Sequence, residues 1–150
     1  RQRQMCIRDS IDVAPTLAAA AQVDVPPELE LDGSDMMAFL DDPVGSKDLE
    51  RTLFWQSGHY RVVRKGDWKL QVSDNPAKKW LFNLEEDPTE QNNLVKTRSE
   101  VTGELSALLE QHASGRKQPL YPSVAKIPVT VDKTLAEKYG DTDELIYWPN

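Results

Sequence analysis

The sequence is poor in the residues that mark disulfide frameworks and membrane spans. Its 150 residues include one cysteine, Cys6. A single cysteine excludes an internal disulfide. No apolar run approaches the roughly 20 residues of a membrane-spanning helix, and the run from Leu17 to Ala21 is far too short. We therefore expect a domain stabilised by ordinary core packing, with no membrane partner.

Basic charge is also scarce. The chain has 18 Lys and Arg against 25 Asp and Glu, which gives a formal net charge of -7. A nucleic-acid groove needs clustered basic residues, and so does electrostatic binding to an anionic membrane surface. We expect neither a nucleic-acid partner nor a membrane partner.

Residues 51–84 carry the strongest structural pattern. They predict four short strands separated by turns at Gly58, Gly66 and Pro76. Gly66 can take the positive φ that a tight hairpin needs. The β-branched and aromatic residues between the turns suit a pleated surface. The sequence therefore predicts an antiparallel meander.

The third strand of this meander alternates in polarity. Trp68, Leu70 and Val72 are separated by Lys69 and Gln71. Such a period of two predicts one buried sheet face and one face exposed to water. The basic residues expected on the exposed face are Arg61, Arg64, Lys65 and Lys69. We interpret them as a solvated face, and the alternative is a role in sulfate recognition.

An amphipathic helix is predicted after the meander. Thr97 and Glu100 fit a capping box, and Ser114-Gly115 ends the helical pattern. One face of the helix carries Val101, Leu105, Leu108 and Leu109. We expect this face to pack on the apolar face of the sheet.

The flanking segments predict less regular structure. Residues 11–21 predict a short helix with Asp12 as its N-cap, and residues 36–40 predict one helical turn. Residues 116–150 are rich in proline and predict an extended arm. Its expected anchors are Leu120, Tyr121, Ile127, Val129, Val131, Tyr147 and Trp148. The predicted fold class is α+β: a four-stranded antiparallel sheet with one long amphipathic helix packed on it, a short leading helix and an extended C-terminal arm.

Two motifs give the chain a family resemblance. The first, Arg-x-Gly-Asp-Trp-Lys-Leu, spans residues 64–70, and the second, Trp-Leu-Phe-Asn-Leu-Glu-Glu-Asp-Pro-x-Glu-x-x-Asn-Leu, spans residues 80–94. In this order they resemble the C-terminal subdomain of the sulfatases related to alkaline phosphatase. Residues 11–40 resemble the segment that closes the large domain of those enzymes. Residues 143–150 are similar to the end of some bacterial members.

The resemblance implies a parent enzyme that hydrolyses sulfate esters. In that family a formylglycine, made from Cys or Ser in a Cys/Ser-x-Pro-x-Arg motif, supplies the nucleophile beside a divalent cation, usually calcium. This chain contains no such motif. We therefore expect no catalytic residue, metal ligand or cofactor in this chain, and calcium and formylglycine in the full-length parent.

The implied partners are a missing N-terminal catalytic domain and a sulfated small molecule or glycan. The chain alone is expected to be inactive, to complete the catalytic domain's fold and to form one wall of the substrate cleft. Without its partner, the helix at residues 11–21 should expose apolar surface. The resemblance further implies a periplasmic or secreted location.

The same resemblance divides the chain into segments. Residues 1–10 resemble the translation of a transposase-adapter oligonucleotide used in sequencing libraries, and we exclude them from the fold. Residues 11–50 are expected to be the end of the catalytic domain and a linker. Residues 51–115 correspond to the C-terminal subdomain, and residues 116–150 to the arm.

One residue is a candidate for contact with substrate at the rim of the cleft. His59 lies at the tip of the first predicted hairpin, and a loop histidine can bind an anionic group or sense pH. The alternative is an exposed turn residue without a function.

An acidic segment follows the fourth predicted strand. Its carboxylates are Glu85, Glu86, Asp87 and Glu90. They could bind Ca²⁺, but the segment lacks the spacing of a calcium loop. We interpret it as a solvated turn, in which Asn92 or Asn93 takes a special backbone angle.

Other functions remain open. The parent could be a phosphatase or phosphonate hydrolase of the same superfamily. The chain could also be a free-standing glycan-binding module, with Trp55, Trp68 and Trp80 as a sugar-stacking platform. We interpret these tryptophans as core residues, because aromatic side chains in strands dominate buried area.

Overall fold

The structure is a computed structural model, and it describes residues 10–29, 31–37, 51–116, 126–131, 137–138 and 140–149. The chain divides into two compact units, one within residues 1–50 and the other within residues 51–150. The predictions for residues 1–9 and 38–50, and for the anchors Leu120 and Tyr121, lie outside the described residues. No helix in the described ranges is long and apolar enough to cross a membrane.

The first unit begins with a 3-10 turn, Ser10–Asp12, that leads into helix α1, Val13–Ala20. Asp12 does not cap this helix through its side chain. Its φ of -78° and ψ of -15° are already helical, whereas a capping side chain needs an extended residue. The carboxylate instead accepts a hydrogen bond from the Ser34 amide at 2.9 Å. The predicted N-cap is therefore wrong. Asp12 instead holds the loop around Gly33 and Ser34, which we call the returning loop, at the start of α1.

The returning loop passes very close to the start of α1. A Cβ on Gly33 would lie 2.0 Å from the Ile11 carbonyl oxygen, so no other residue fits there. Further along, the Met36 amide donates to the Thr16 hydroxyl at 3.0 Å. The apolar side chains of α1 stay exposed, with Leu17 at 63%. The expected apolar surface on this helix is confirmed.

The second unit contains the predicted meander. Its strands are β1 (Thr52–Ser57), β2 (Tyr60–Lys65), β3 (Trp68–Asp74) and β4 (Ala77–Asn83). They form one sheet in the order β1-β2-β3-β4, and each pair is antiparallel. Gly66 has a φ of 57° in the β2–β3 turn, as predicted.

Helix α2, Ser99–Ser114, covers one face of the sheet. Leu105 and Leu109 of α2 are buried there. The sheet residues in this cluster, which define the helix face, are Phe54, Val63, Trp68, Leu70, Val72 and Leu81. The predicted capping box is wrong, because α2 has no side-chain cap and the Thr97 hydroxyl donates to the Leu94 carbonyl at 3.1 Å.

The opposite face is covered by a second, two-stranded sheet. Strands β5 (Lys126–Thr130) and β6 (Leu145–Pro149) pair antiparallel, so the predicted arm is in part a hairpin. Ile146 is buried, with Val129 and Val131 packed beside it. The sheet residues in this cluster, which define the hairpin face, are Trp55, Tyr60, Val62, Trp80 and Phe82.

Both faces of the four-stranded sheet are therefore buried, and the prediction of one face exposed to water is wrong. Gln71 is 3% exposed and Arg64 is 7% exposed. Strand alternation puts Arg61 and Lys65 on the helix face and Arg64 on the hairpin face. The three basic residues of this strand therefore do not all share one face, because the spacing from Arg61 to Arg64 is odd.

The outer edge of β4 is closed by a side chain. The Asn93 amide oxygen accepts from the Leu81 amide, and the Asn93 amide nitrogen donates to the Lys79 carbonyl, both at 3.1 Å. The Leu94 amide then donates to the Leu81 carbonyl at 2.8 Å. Asn93 thus pairs with β4 as a neighbouring strand would.

Candidate functional site

His59 lies in the turn between β1 and β2, directly after Gly58, which has a φ of 54°. The amide of Asp74 donates to the His59 carbonyl at 3.2 Å, so the turn is fastened to the end of β3. The imidazole Nε2 is buried and has no hydrogen-bond partner. His59 is half-buried, and the interpretation as an exposed turn residue does not describe it.

Arg61 also has hydrogen-bonding capacity that the fold does not use. Its Nη2 contacts both carboxylate oxygens of Asp74, at 3.1 and 3.2 Å. Its Nε is buried and has no hydrogen-bond partner. The Arg61 side chain is 23% exposed and that of Asp74 is 58% exposed. This ion pair is therefore partly open to solvent.

Helix α2 brings a second arginine to the same end of the sheet. Gln56 lies directly across from Arg61 in the β1–β2 register. The Gln56 side chain accepts from Arg116 Nη1 at 3.5 Å and donates to the Gly58 carbonyl at 3.2 Å. Arg116 Nη2 also contacts His112 Nε2. We call His59, Arg61, Asp74, Gln56 and Arg116 the basic corner, since it contains two arginines and a histidine and one carboxylate, which pairs with Arg61.

The stack of Phe54 on His112 fixes the helix end beside this corner. The two ring centroids are 4.0 Å apart and the ring planes differ by 9°. His112 lies in the last turn of α2, and Phe54 lies on the helix face of β1. The stack holds Arg116, just past the helix, close to β1.

The hairpin face carries a separate polar network. Lys69 Nζ donates to both carboxylate oxygens of Glu90, at 2.7 and 2.9 Å, and Gln71 donates to the same carboxylate at 2.6 Å. The Tyr60 hydroxyl donates to Gln71 at 2.7 Å. Burial, and to a smaller extent the Glu90 charge, raises the pKa of Tyr60 well above its ordinary value, so the phenol remains a donor. These groups bond one another, and the network fixes the segment after β4 to the sheet.

Arg64 lies on the hairpin face directly across from Lys69. Its Nε donates to the Gly66 carbonyl at 2.9 Å, which braces the β2–β3 turn. Its Nη1 is buried without a hydrogen-bond partner. The interpretation of this residue as part of a wet surface is therefore wrong.

The acidic segment forms a turn organised by Asp87. The Asp87 carboxylate accepts from the Asn92 amide at 2.7 Å and from the Thr89 hydroxyl at 3.4 Å. Burial alone would raise the pKa of this carboxyl, but these bonds and those from neighbouring backbone amides together lower it. Glu90 has the positive φ of this turn, 60°. The prediction that Asn92 or Asn93 would have it is wrong.

A calcium site does not fit the residues that the structure describes. Within them, no three His, Cys, Asp or Glu side chains are grouped so that they could hold a metal ion. Asp87 bonds backbone amides, and Glu90 pairs with Lys69. Both carboxylates are thus engaged within the fold.

The three tryptophans are core residues, as predicted. Trp80 is 2% exposed, and its Nε1 donates to the Glu144 carboxylate. Trp55 packs on the hairpin face and Trp68 packs on the helix face. Because they lie on opposite sides of the sheet, they cannot form one sugar-stacking platform.

Sequence reasoning named His59 and Arg61 of the basic corner and missed Gln56, Asp74 and Arg116. His59 was identifiable as a loop histidine. The signal for Arg61 was its position two residues from His59 in the adjoining strand. No spacing rule connects Arg116 to β1, because Arg116 reaches Gln56 only through the packing of α2 on the sheet.

The chain is similar in sequence and in fold to known sulfatases. No family model matches the chain. The chain is 29% identical to an N-acetylgalactosamine-6-O-sulfatase from Bacteroides thetaiotaomicron, over 72% of this chain and 24% of that protein. The chain thus spans about a quarter of that relative's length.

Solved structures show the same fold. Ps i-CgsB in complex with k-i-k-neocarrahexaose superposes with a TM-score of 0.61 at 23% identity, over 73% of this chain and 25% of that chain. BT1596, a 2-O GAG sulfatase, gives 0.54 at 26% identity, over 69% and 24% of the two chains. BT4656 in complex with its substrate, D-glucosamine-2-N,6-O-disulfate, gives 0.52 at 23% identity, over 69% and 23%.

Proposed function

The chain is a sulfatase homologue that spans about a quarter of its relative's length, and we propose that it forms the C-terminal part of a sulfatase whose catalytic domain precedes it. The observation that carries this proposal is the combination of 29% identity over 72% of the chain with coverage of only 24% of the relative. The parent would hydrolyse sulfate esters. The chain by itself would have no such activity.

The proposed substrate is a sulfated glycan. The curated relative acts on a sulfated N-acetylgalactosamine by its name, and one structural neighbour was solved with a disulfated glucosamine. The chain's contribution would be a wall of the substrate cleft. The basic corner is the part of the described chain best suited to face an anionic sugar, because its cations outnumber its carboxylate.

The reactive groups would come from the preceding domain. A formylglycine and a calcium ion are proposed there, and no step of the chemistry is assigned to residues of this chain. Backbone amides engage Asp87, and Lys69 engages Glu90. These contacts support placing the metal ligands in the preceding domain. We also propose a periplasmic or secreted parent, by analogy with the family.

The second proposed role is to complete the fold of the catalytic domain. Several large apolar side chains of the first unit are exposed, including Val13 at 55% and Leu17 at 63%. Apolar side chains grouped on a surface indicate a contact with another protein surface. The preceding domain is the proposed partner.

The test is to recover the in-frame coding sequence upstream of Ile11 and to express the whole reading frame with a formylglycine-generating enzyme. We expect a Cys/Ser-x-Pro-x-Arg motif upstream and hydrolysis of a 6-sulfated N-acetylgalactosamine or another sulfated sugar. The chain expressed alone is the control and should release no sulfate.

Two results would contradict the proposal. A Ser or Thr nucleophile without the motif, with turnover of phosphate esters only, would make the parent a phosphatase. A natural start codon next to Ile11 would leave a small domain without a catalytic partner.

A further inference from the structure

We propose that the basic corner is a binding subsite for one anionic group, a sulfate or a carboxylate, of a sulfated glycan. The donors are Arg61 and His59, with Arg116 as a second cation held by Gln56. The choice of a glycan as the carrier rests on the proposed function. The anion specificity rests on the geometry of the corner alone.

The first argument is the unused hydrogen-bonding capacity of the corner. Arg61 Nε and His59 Nε2 are both buried without partners. A buried polar group without a partner destabilises a fold, and native proteins usually satisfy such groups. Both side chains belong to residues that are half-buried and not enclosed, so a side-chain rotation can present these nitrogens to a ligand. An oxyanion is the type of acceptor that either nitrogen would bond.

The second argument is the type of side chain. A guanidinium presents several N–H donors in a planar fork that matches a carboxylate or an oxyanion. Two such groups flank Gln56, since Arg61 lies across from it in the register and Arg116 donates to it. Gln56 thereby holds Arg116 beside the strand position that pairs with Arg61.

The third argument is electrostatic. The chain carries a formal net charge of -7, which disfavours the approach of an anionic glycan. The basic corner reverses that sign locally. Its one carboxylate, Asp74, is 58% exposed and engages only Nη2 of Arg61. An exposed ion pair of this kind is weak, so Asp74 competes poorly with an incoming anion.

The experiment is a titration of the 150-residue chain with sodium sulfate at constant ionic strength, balanced with sodium chloride. The readout is the arginine Nε–Hε signals in ¹⁵N NMR spectra. We expect the Arg61 signal to shift in a saturable way. Arg61→Gln, which lacks that signal and is followed through the Arg116 signal, should weaken sulfate binding about tenfold, as for loss of a hydrogen bond to a charged group.

Two variants separate binding from a structural role. Lys78→Gln removes the same charge from an exposed position on β4 and should change affinity by less than about twofold. Asp74→Asn removes the competing carboxylate and should tighten sulfate binding. If Arg61 served only to brace Asp74, Arg61→Gln and Asp74→Asn would both lower the Tm and leave sulfate binding unchanged, which would overturn the proposal. Should Arg61→Gln fail to fold, Arg61→Lys replaces it, with weaker binding expected because the fork is lost.

The carrier of the anion is tested separately with N-acetylgalactosamine and its 6-sulfate. Saturable shifts at Arg61 with the sulfated sugar alone support the proposal. Equal shifts with both sugars would refute an anion subsite. This binding test needs no catalytic domain, so a parent without sulfatase activity would contradict the proposed function while leaving the sulfate result intact.

Discussion

Lys69 and Glu90 form an ion pair on a sheet face that the strand pattern predicts to be wet. The Lys69 Nζ lies 2.7 Å from Glu90 Oε1, and the side chains are 20% and 21% exposed. Glu90 reaches this position with a backbone φ of 60°, which is unusual for a residue with a side chain. The strain at Glu90 is offset by the bonds that its carboxylate makes with Lys69 and Gln71.

The first prediction concerns this carboxylate. Glu90→Gln keeps the shape of the side chain but leaves the Lys69 ammonium group without an anion in a mostly buried place. We expect the free energy of unfolding to fall by about 1–2 kcal/mol, as for loss of a charged hydrogen bond that is not fully desolvated. Urea denaturation followed by tryptophan fluorescence measures the change.

The matched control is the exposed pair of Lys65 and Glu104. Their side chains are 48% and 57% exposed, with the charged atoms 2.7 Å apart. Glu104→Gln should change the free energy of unfolding by less than about 0.5 kcal/mol. Equal effects of Glu90→Gln and Glu104→Gln would show that burial of the Lys69 pair is not what makes it stabilising.

The second prediction concerns pH. The pKa of Asp87 lies below its ordinary value of 3.8, because its hydrogen bonds outweigh its burial. A carboxyl with a lowered pKa stabilises the fold above the unfolded-state pKa, and this contribution disappears as the pH falls through the folded-state pKa. Asp87→Asn should therefore destabilise the chain at neutral pH by about 1–2 kcal/mol and progressively less in acid.

The check for Asp87 is a series of urea denaturations from neutral pH down to about 3. The wild-type curve should lose stability below the ordinary pKa of aspartate, and the Asp87→Asn curve should be flatter in that window. Parallel curves would contradict the assignment of this pH dependence to Asp87.

The third prediction compares two glycines at which an added Cβ would meet open space. Nothing lies within 4 Å of such an atom at Gly66 or at Gly103. Gly66 has a φ of 57°, so Gly66→Ala should destabilise by about 1 kcal/mol through backbone strain. Gly103 lies inside α2, so Gly103→Ala should stabilise by about 0.5–1 kcal/mol through helix propensity.

Thermal unfolding of both variants gives the comparison for the glycines. Opposite shifts in Tm are expected from the same added methyl group. A lower Tm for Gly103→Ala would indicate that α2 makes contacts at Gly103 beyond those described.

The fourth prediction concerns the hairpin of β5 and β6. Ile146 is 2% exposed in the cluster on the hairpin face. Ile146→Ala should destabilise by about 2–5 kcal/mol if the hairpin unfolds with the sheet. Hydrogen exchange distinguishes this global unfolding from local opening of the hairpin. In local opening, only the non-proline amides of residues 126–131 and 144–149 would lose protection.

The sequence predicts the elements of the second unit well and their environment less well. The meander, the Gly66 turn and the end of α2 at Ser114 follow from local rules that turn residues and apolar periods obey. The error at Gln71 and Arg64 has a different origin. A period of two indicates one covered face, but the polar residues on the second face are themselves covered by segments that are distant in the chain.

The basic corner shows the same limit of sequence reasoning. His59 stands out in the sequence because it occupies a turn. Arg116 lies beyond α2, and its approach to Gln56 depends on how the helix packs on the sheet. Such a relationship is a property of packing, so only the three-dimensional structure reveals it.

Asn93 makes the two edges of the four-stranded sheet chemically different. The amide group of Asn93 occupies backbone groups of β4 that another strand would otherwise use. In the described part of the chain, β1 is the other border, and no further strand pairs with it. Strand-to-strand self-association of the four-stranded sheet would therefore proceed through β1, and a fibril or domain-swapped species built on this sheet would grow from Thr52–Ser57 and not from Ala77–Asn83.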